Sequence, residues 1–228
     1  MTVRACRVLG GTLCALALAL ASPSVGAAAM INVTNQLDEQ TSGNGCSLRE
    51  AISAANADTT GPGGDCTAGS GADTIVLPAS ANHYLVTGAS GDIANTSGDL
   101  NITSNVTISG AGAASTVIQS DGADRAFDLE LPATAVTIQN VTITGGHAPD
   151  ATGNDAGTTS GSDATGGDGH LGGLGGGILA NAIPLTLIGV VIQSNSAGDG
   201  SAGTDAASRC HAESPARRGS SPVAAAST

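Results

Sequence analysis

From Thr74 onward the chain is built from short apolar words separated by glycine, asparagine and aspartate. They are Thr74-Ile75-Val76-Leu77, Tyr84-Leu85-Val86, Leu100-Asn101-Ile102, Val106-Thr107-Ile108, Thr116-Val117-Ile118, Ala126-Phe127-Asp128-Leu129, Val136-Thr137-Ile138, Val141-Thr142-Ile143, Leu185-Thr186-Leu187-Ile188 and Val190-Val191-Ile192. Each is three or four residues long, rich in β-branched side chains and bounded by turn formers, which predicts a short strand. Met30 to Asn35 alternates apolar and polar and predicts a first strand. No helical periodicity separates the later words.

The exception lies at 46–56, read as a helix from Ser47 to Asn56. Ser47 and Glu50 stand in the S-x-x-E spacing of a capping box, which predicts a helix starting at Leu48. Leu48, Ala51, Ile52 and Ala55 then fall at i, i+3, i+4 and i+7 on one apolar stripe, and Gly61-Pro62-Gly63-Gly64 is expected to end the segment. A short helix with one apolar stripe needs a surface to lie on. The open end of a stack of strands is the surface that follows, so the helix reads as a lid.

Two internal matches point to repetition. Asn105-Val106-Thr107-Ile108-Ser109-Gly110 recurs as Asn140-Val141-Thr142-Ile143-Thr144-Gly145, a shift of 140 − 105 = 35. Val136-Thr137-Ile138-x-x-Val141-x-Ile143 recurs as Leu185-Thr186-Leu187-x-x-Val190-x-Ile192, a shift of 185 − 136 = 49. An equal motif at unequal spacing predicts rungs of one solenoid with loops of different length, each rung burying its apolar face on its neighbours. A β-sandwich would also accommodate short strands, but it explains neither the repeated word nor the helix. Gly145 to Gly177, with almost no apolar residue before Leu171, is expected to protrude from one rung as a mobile loop.

Cys46-Ser47-Leu48-Arg49-Glu50-Ala51-Ile52, followed by Ala54-Ala55-Asn56, Cys66 and Ala72-Asp73-Thr74-Ile75-Val76-Leu77-Pro78, resembles the CSLREA-box family of bacterial exported and surface proteins. The resemblance continues through Gly98-Asp99-Leu100-Asn101-Ile102, Ile108-Ser109-Gly110-Ala111-Gly112-Ala113 and Asp124-Arg125-Ala126-Phe127 to about Asn195. It implies an all-β fold, a right-handed parallel β-helix of the pectin-lyase type with a short N-terminal capping α-helix. In such proteins the stretch around Asp124 and Arg125 looks like a structural turn, with the arginine paired to a neighbouring aspartate and Phe127 pointing inward. The resemblance implies architecture more than activity.

The N-terminus adds an address. Arg4 and Arg7 precede the apolar run Leu13 to Ala21, and Ser24-Val25-Gly26-Ala27-Ala28-Ala29 offers small-residue cleavage sites, so residues 1–29 are expected to be a secretory signal peptide. Leu13 in front of Cys14 argues against a lipoprotein anchor. The domain reading is then 30–72 for the first strand and cap helix, 73–204 for the rungs with their loop at 145–177, and 205–228 for an atypical, disordered tail. That tail holds Arg209, Arg217 and Arg218 and no strand pattern, which suggests truncation or a frame shift relative to a longer ancestor.

Charge narrows the partners. The net charge is −12, and without Arg4 and Arg7 it becomes 5 − 19 = −14, which repels nucleic acid and anionic membrane. No membrane span is expected in the mature chain. Tyr84 and Phe127 are the only aromatic residues, so the core must be aliphatic. Cys46 and Cys66 flank the helix, 66 − 46 = 20 residues apart, and in an exported chain they read as a disulfide; a metal reading lacks nearby histidine or further cysteine. Cys6 and Cys14 leave with the signal, and Cys210 lies in the tail. The sequons at Asn101, Asn105 and Asn140 read as turn and rung residues.

For chemistry, the enzymes that the resemblance brings to mind need clustered carboxylates and a basic group. Asp121, Asp124, Arg125, Asp128 and Glu130 are the strand-region candidates, and Arg125 is the sole Lys or Arg between Arg49 and Arg209. The structural reading of Asp124 and Arg125 as a turn ion pair is preferred, since no Lys and no Trp accompany them. Gly146-His147 is similar to the Gly-His word of polygalacturonases, but the paired-Asp and Arg-x-Lys words are absent, so His147 reads as a solvated side chain. Gly166-Gly167-Asp168-Gly169 resembles half of a calcium repeat without its nine-residue period, so calcium binding through Asp163 and Asp168 would be weak. No catalytic, cofactor or metal site is assigned. The expected role is that of an exported structural or adhesive module contacting cell-surface or matrix carbohydrate or protein. The alternatives are a polysaccharide lyase or glycoside hydrolase and a remnant of a longer adhesin.

Overall fold

Val, Ile and Thr pack well side by side on a pleated surface, and their words form strands in the computed structural model, which describes residues 27–153 and 167–203. In chain order these are β1 (Met30–Asn32), α1 (Leu48–Ala57), β2 (Asp73–Leu77), β3 (Tyr84–Val86), β4 (Leu100–Ile102), β5 (Val106–Gly110) and β6 (Val117–Ser120). They continue as β7 (Phe127–Leu129), β8 (Val136–Gln139), β9 (Thr142–Thr144), β10 (Ile178–Ala180), β11 (Leu185–Ile188) and β12 (Val191–Gln193). The strands form three sheets, ordered β1-β2-β5-β8-β11, β3-β6-β9-β12 and β4-β7-β10. Every strand pairing is parallel, so the described residues are all-β apart from α1. After β1 and α1 the chain visits the first, second and third sheets in that order, then begins again.

Register stacks like on like. Ile31, Ile75, Ile108 and Ile138 face one another along the first sheet, and Tyr84, Ile118 and Ile143 along the second. Leu100 faces Phe127 in the third, and all of these side chains are 0 % exposed. The core is built of stacked, mainly aliphatic rows in which Tyr84 and Phe127 each take one place. Its close-packed contacts are individually small and collectively large.

The repeat shift of 49 is a true register, since Leu185 lies against Val136 and Val191 against Thr142. The shift of 35 is not. Val106 lies against Val136, a shift of 136 − 106 = 30, and the word beginning at Asn140 belongs to β9 in another sheet. The Val-Thr-Ile word occurs on two faces of the stack, so matching words do not establish that two strands share a sheet. The sequence pattern also missed β10, three residues inside a glycine-rich run.

Helix α1 begins where the capping box places it. Ser47 Oγ accepts from Glu50 N–H at 3.1 Å, and Ser47 N–H donates to Glu50 Oε2 at 3.0 Å. The helix stops at Ala57, one residue past the Asn56 read from the sequence. Asp58 takes the left-handed conformation at φ 52° and returns its N–H to Ala54 O, leaving Gly61 to Gly64 outside. Leu48, Ala51, Ile52 and Ala55 are buried, with α1 against β2 and β4. Cys46 and Cys66 are disulfide-bonded with Cα atoms 4.8 Å apart. Closing a loop of this size contributes about 3 kcal/mol on the chain-entropy model.

The described parts of 145–177 are tied down instead of projecting freely. Gly145 N–H donates to Ser194 O, Gly146 N–H to Asn195 Oδ1, Gly173 N–H to Pro149 O and Gly198 N–H to Gly173 O. The signal-peptide reading through residue 26, Asp163 and the 205–228 tail with Cys210 lie outside the described residues. Among the described residues no helix is long and apolar enough to cross a membrane.

Candidate functional site

Two arginines anchor the segment between β3 and β4. Arg49, on α1, is 2 % exposed. Its Nε and Nη2 donate to the two carboxylate oxygens of Asp38 at 2.6 and 2.8 Å. Nη2 also reaches Gly98 O at 2.6 Å and Nη1 reaches Asp99 O at 3.1 Å. Asp38 in turn accepts from Thr87 N–H at 2.6 Å. One turn further along α1, Ser53 accepts from Asn95 Nδ2, and Asn56 donates to Asn101 O. Arg49, Ser53 and Asn56 follow an i, i+4, i+7 spacing and make a polar seam beside the apolar stripe. The site reading of the sequence left Arg49 out, although this second stripe was a signal that could have found it.

Arg125 holds the other side of the segment. The expected partner, Asp124, is its most distant carboxylate contact at 3.8 Å; Asp128 lies at 3.6 Å and Asp99 at 3.1 Å. Asp124 spends its oxygens on backbone, accepting from Arg125 N–H at 2.8 Å and Asp99 N–H at 3.4 Å. Phe127 is fully buried beside them. Burial, then the charge of Asp124, pushes the Asp99 carboxyl up to about 6 against the pull of Arg125. Burial likewise raises Asp128, with Glu130 and Asp124 adding to it. The Asp99 and Asp124 side chains are only 3 % and 2 % exposed. A polymer cannot reach these two, which act as a clasp, while Arg125 and Asp128 stay 15 % and 16 % exposed.

Glu50 is also raised, by burial first and also by Glu39 and Asp65, and its Oε1 has no hydrogen-bond partner. Carboxyls held above their unfolded pKa stabilise the fold while protonated and cease to do so as pH rises through the folded value. Glu39 and Asp92 act in the opposite sense. Burial works upward on both, but hydrogen bonds from Thr41, Asn44 and Asn35 to Glu39, and from Thr96, Ala94 and Ser97 to Asp92, outweigh it. Their contribution is lost as pH falls. Thermal melts across pH are therefore expected to peak near about pH 4 to 5, and unfolding free energy to drop by on the order of 2 kcal/mol by pH 7.5. A maximum at pH 7 or above would contradict the assignment.

Open surface with polar lining lies on the second sheet. Leu85, Gln119, Thr144 and Gln193 form one outward row, paired strand to strand. Two clefts of about 540 and 470 Å³ meet over this row at His83 and Gln119, whose side chains contact each other. Asn35, Gln36 and Asn82 line one, Thr144 and Gln193 the other, and neither cleft contains Asp, Glu, Lys or Arg. Beside Leu37, Leu85, Ala113, Ala114 and Val117 these amides and hydroxyls offer donors and acceptors without charge.

His147 is not a lone solvated side chain. Its Nδ1 contacts Ser196 Oγ at 2.7 Å and its Nε2 contacts Asp150 Oδ1 at 3.1 Å. The sequon residues are structural: Asn101 is 2 % exposed, Asn105 Oδ1 accepts from the N–H groups of Thr134 and Ala135, and Asn140 turns the chain at φ 56°. Among the described residues, no group of three or more His, Cys, Asp or Glu is disposed to hold a metal ion.

Comparison of the chain with protein-family models, with curated proteins and with solved structures finds no match in any of the three.

Proposed function

We propose that this chain is an exported, right-handed parallel β-helix of the CSLREA-box type with an adhesive role, holding uncharged carbohydrate along the outer face of its second sheet. The rotation of the chain through three parallel sheets in constant order supports the solenoid, because each return to a sheet is a parallel crossover and such crossovers are right-handed as a rule. The capped helix, the buried Arg49 and the disulfide at one end support the family reading.

The observation that carries the binding role is the uncharged, amide-lined double cleft over Gln119. Sugar hydroxyls pair with amide and hydroxyl groups, and an acidic protein that presents a neutral face selects neutral glycans over acidic ones. The enzyme alternative would use the carboxylate and arginine cluster, in which Asp99 and Asp124 are buried and Arg125, Asp128 and Glu130 are partly exposed. Incubation with acidic and neutral polysaccharides is expected to yield neither reducing ends nor unsaturated products. Glycosidic cleavage that disappears in Arg125→Ala would overturn the adhesive reading.

A further inference from the structure

The 49-residue register that pairs β9 with β12 continues past the strands. His147 bridges Ser196 in parallel, and Asp199 N–H donates to Asp150 Oδ1 at 2.7 Å. This places a hydroxyl, an imidazole and a carboxylate in a line. Ser196 Oγ stands 2.7 Å from His147 Nδ1, and His147 Nε2 stands 3.1 Å from Asp150 Oδ1. The hydrogen bond from Asp199 N–H, together with His147, holds Asp150 below the usual carboxylate range. A carboxylate only accepts, so Nε2 carries the proton and Nδ1 is left to accept from Ser196 Oγ. A nucleophile hydrogen-bonded to a base, and that base oriented by a third group, is the arrangement that activates serine, whatever the order of the residues in the chain.

We propose that Ser196, His147 and Asp150 form a serine hydrolase constellation that cleaves small carboxylic esters. Ser196 Oγ attacks the carbonyl carbon while its proton passes to His147 Nδ1. The tetrahedral intermediate expels the alkoxide, which takes that proton, and water assisted by the same nitrogen hydrolyses the acyl-serine. Ser196 N–H donates to Gly146 O and its carbonyl accepts from Ala148 N–H, so the next amide along the strand, Ala197 N–H, points away from that neighbour. Ala197 is exposed and its N–H has no acceptor among the described residues, which makes it the donor for the oxyanion. Ser196 is exposed as well, so small esters reach it without a gate.

The test uses the full chain with its disulfide formed, a fluorophosphonate probe and p-nitrophenyl butyrate. The account predicts a single phosphonyl adduct on Ser196 by mass spectrometry, its loss in Ser196→Ala, and labelling at least 100-fold slower in His147→Ala. Ester hydrolysis should fall at least 100-fold in Ser196→Ala. Asp150 is a positioning residue, so Asp150→Asn should lower kcat at unchanged KM and Asp150→Glu should restore part of it. These side chains lie outside the core, so melting temperatures should stay within a few degrees of the parent. No adduct, or hydrolysis undiminished in Ser196→Ala because an exposed imidazole alone catalyses it, would overturn the proposal.

Discussion

Replacing Arg49 by alanine is expected to lower the unfolding free energy by about 3–5 kcal/mol, the usual consequence of removing one partner from a buried, hydrogen-bonded ion pair. Arg49 is 2 % and the Asp38 side chain 4 % exposed, so the orphaned carboxylate has little access to water. The carbonyl oxygens of Gly98 and Asp99 lose their donors in the same step. Arg49→Lys should recover less than half of the loss, since an ammonium cannot address both Asp38 oxygens and the backbone as a planar fork does. Urea denaturation of the disulfide-bonded chain measures both. A loss under about 1 kcal/mol would mean that the polar seam does not hold α1 in place.

The second large effect compares two positions in one row. Ile138 and Leu187 are register partners in the first sheet, yet Ile138 is 0 % and Leu187 42 % exposed. Ile192, aligned with the buried Ile143, is 48 % exposed. The apolar rows run straight through to the last described strands, and among the described residues nothing is stacked on them there. Ile138→Ala should cost about 2–5 kcal/mol through lost burial and the cavity left behind, whereas Leu187→Ala should cost under about 1 kcal/mol. Equal costs would mean that further material covers β11 and β12. An uncovered apolar edge also invites self-association, so both variants should be compared at micromolar and lower concentrations.

The local features were legible, and among the long-range ones so were the 49-residue register and the Cys46–Cys66 pairing. Tyr84–Val86, Leu100–Ile102 and Leu185–Ile188 are strands where the alternation placed them, because a three-residue word with turn formers at both ends has few other uses. The start of α1 was equally plain, since Ser47 and Glu50 satisfy each other within one turn. Its end at Ala57 lies one residue past the Asn56 read from the sequence, and Asp58 makes the left-handed stop that glycine more commonly provides. Register resisted the reading: one Val-Thr-Ile word serves two sheets, and no local cue says which face it lines. Arg49 is satisfied mostly by groups 46 to 50 residues away that no repeated word connects, whereas Ser196 lies 49 residues from His147, the shift already visible in the repeat.

The role proposed for the outer face of the second sheet is to hold uncharged carbohydrate without cleaving it. The most direct measurement is a titration of the isotopically labelled chain with neutral and acidic oligosaccharides, followed by amide NMR shifts. The account predicts saturable shifts with neutral sugars only, concentrated along Gln119, Thr144 and Gln193, and binding at least tenfold weaker when Gln119 and Gln193 are both alanine. Absence of saturable shifts, or shifts that gather around Arg125 and Asp128, would contradict it.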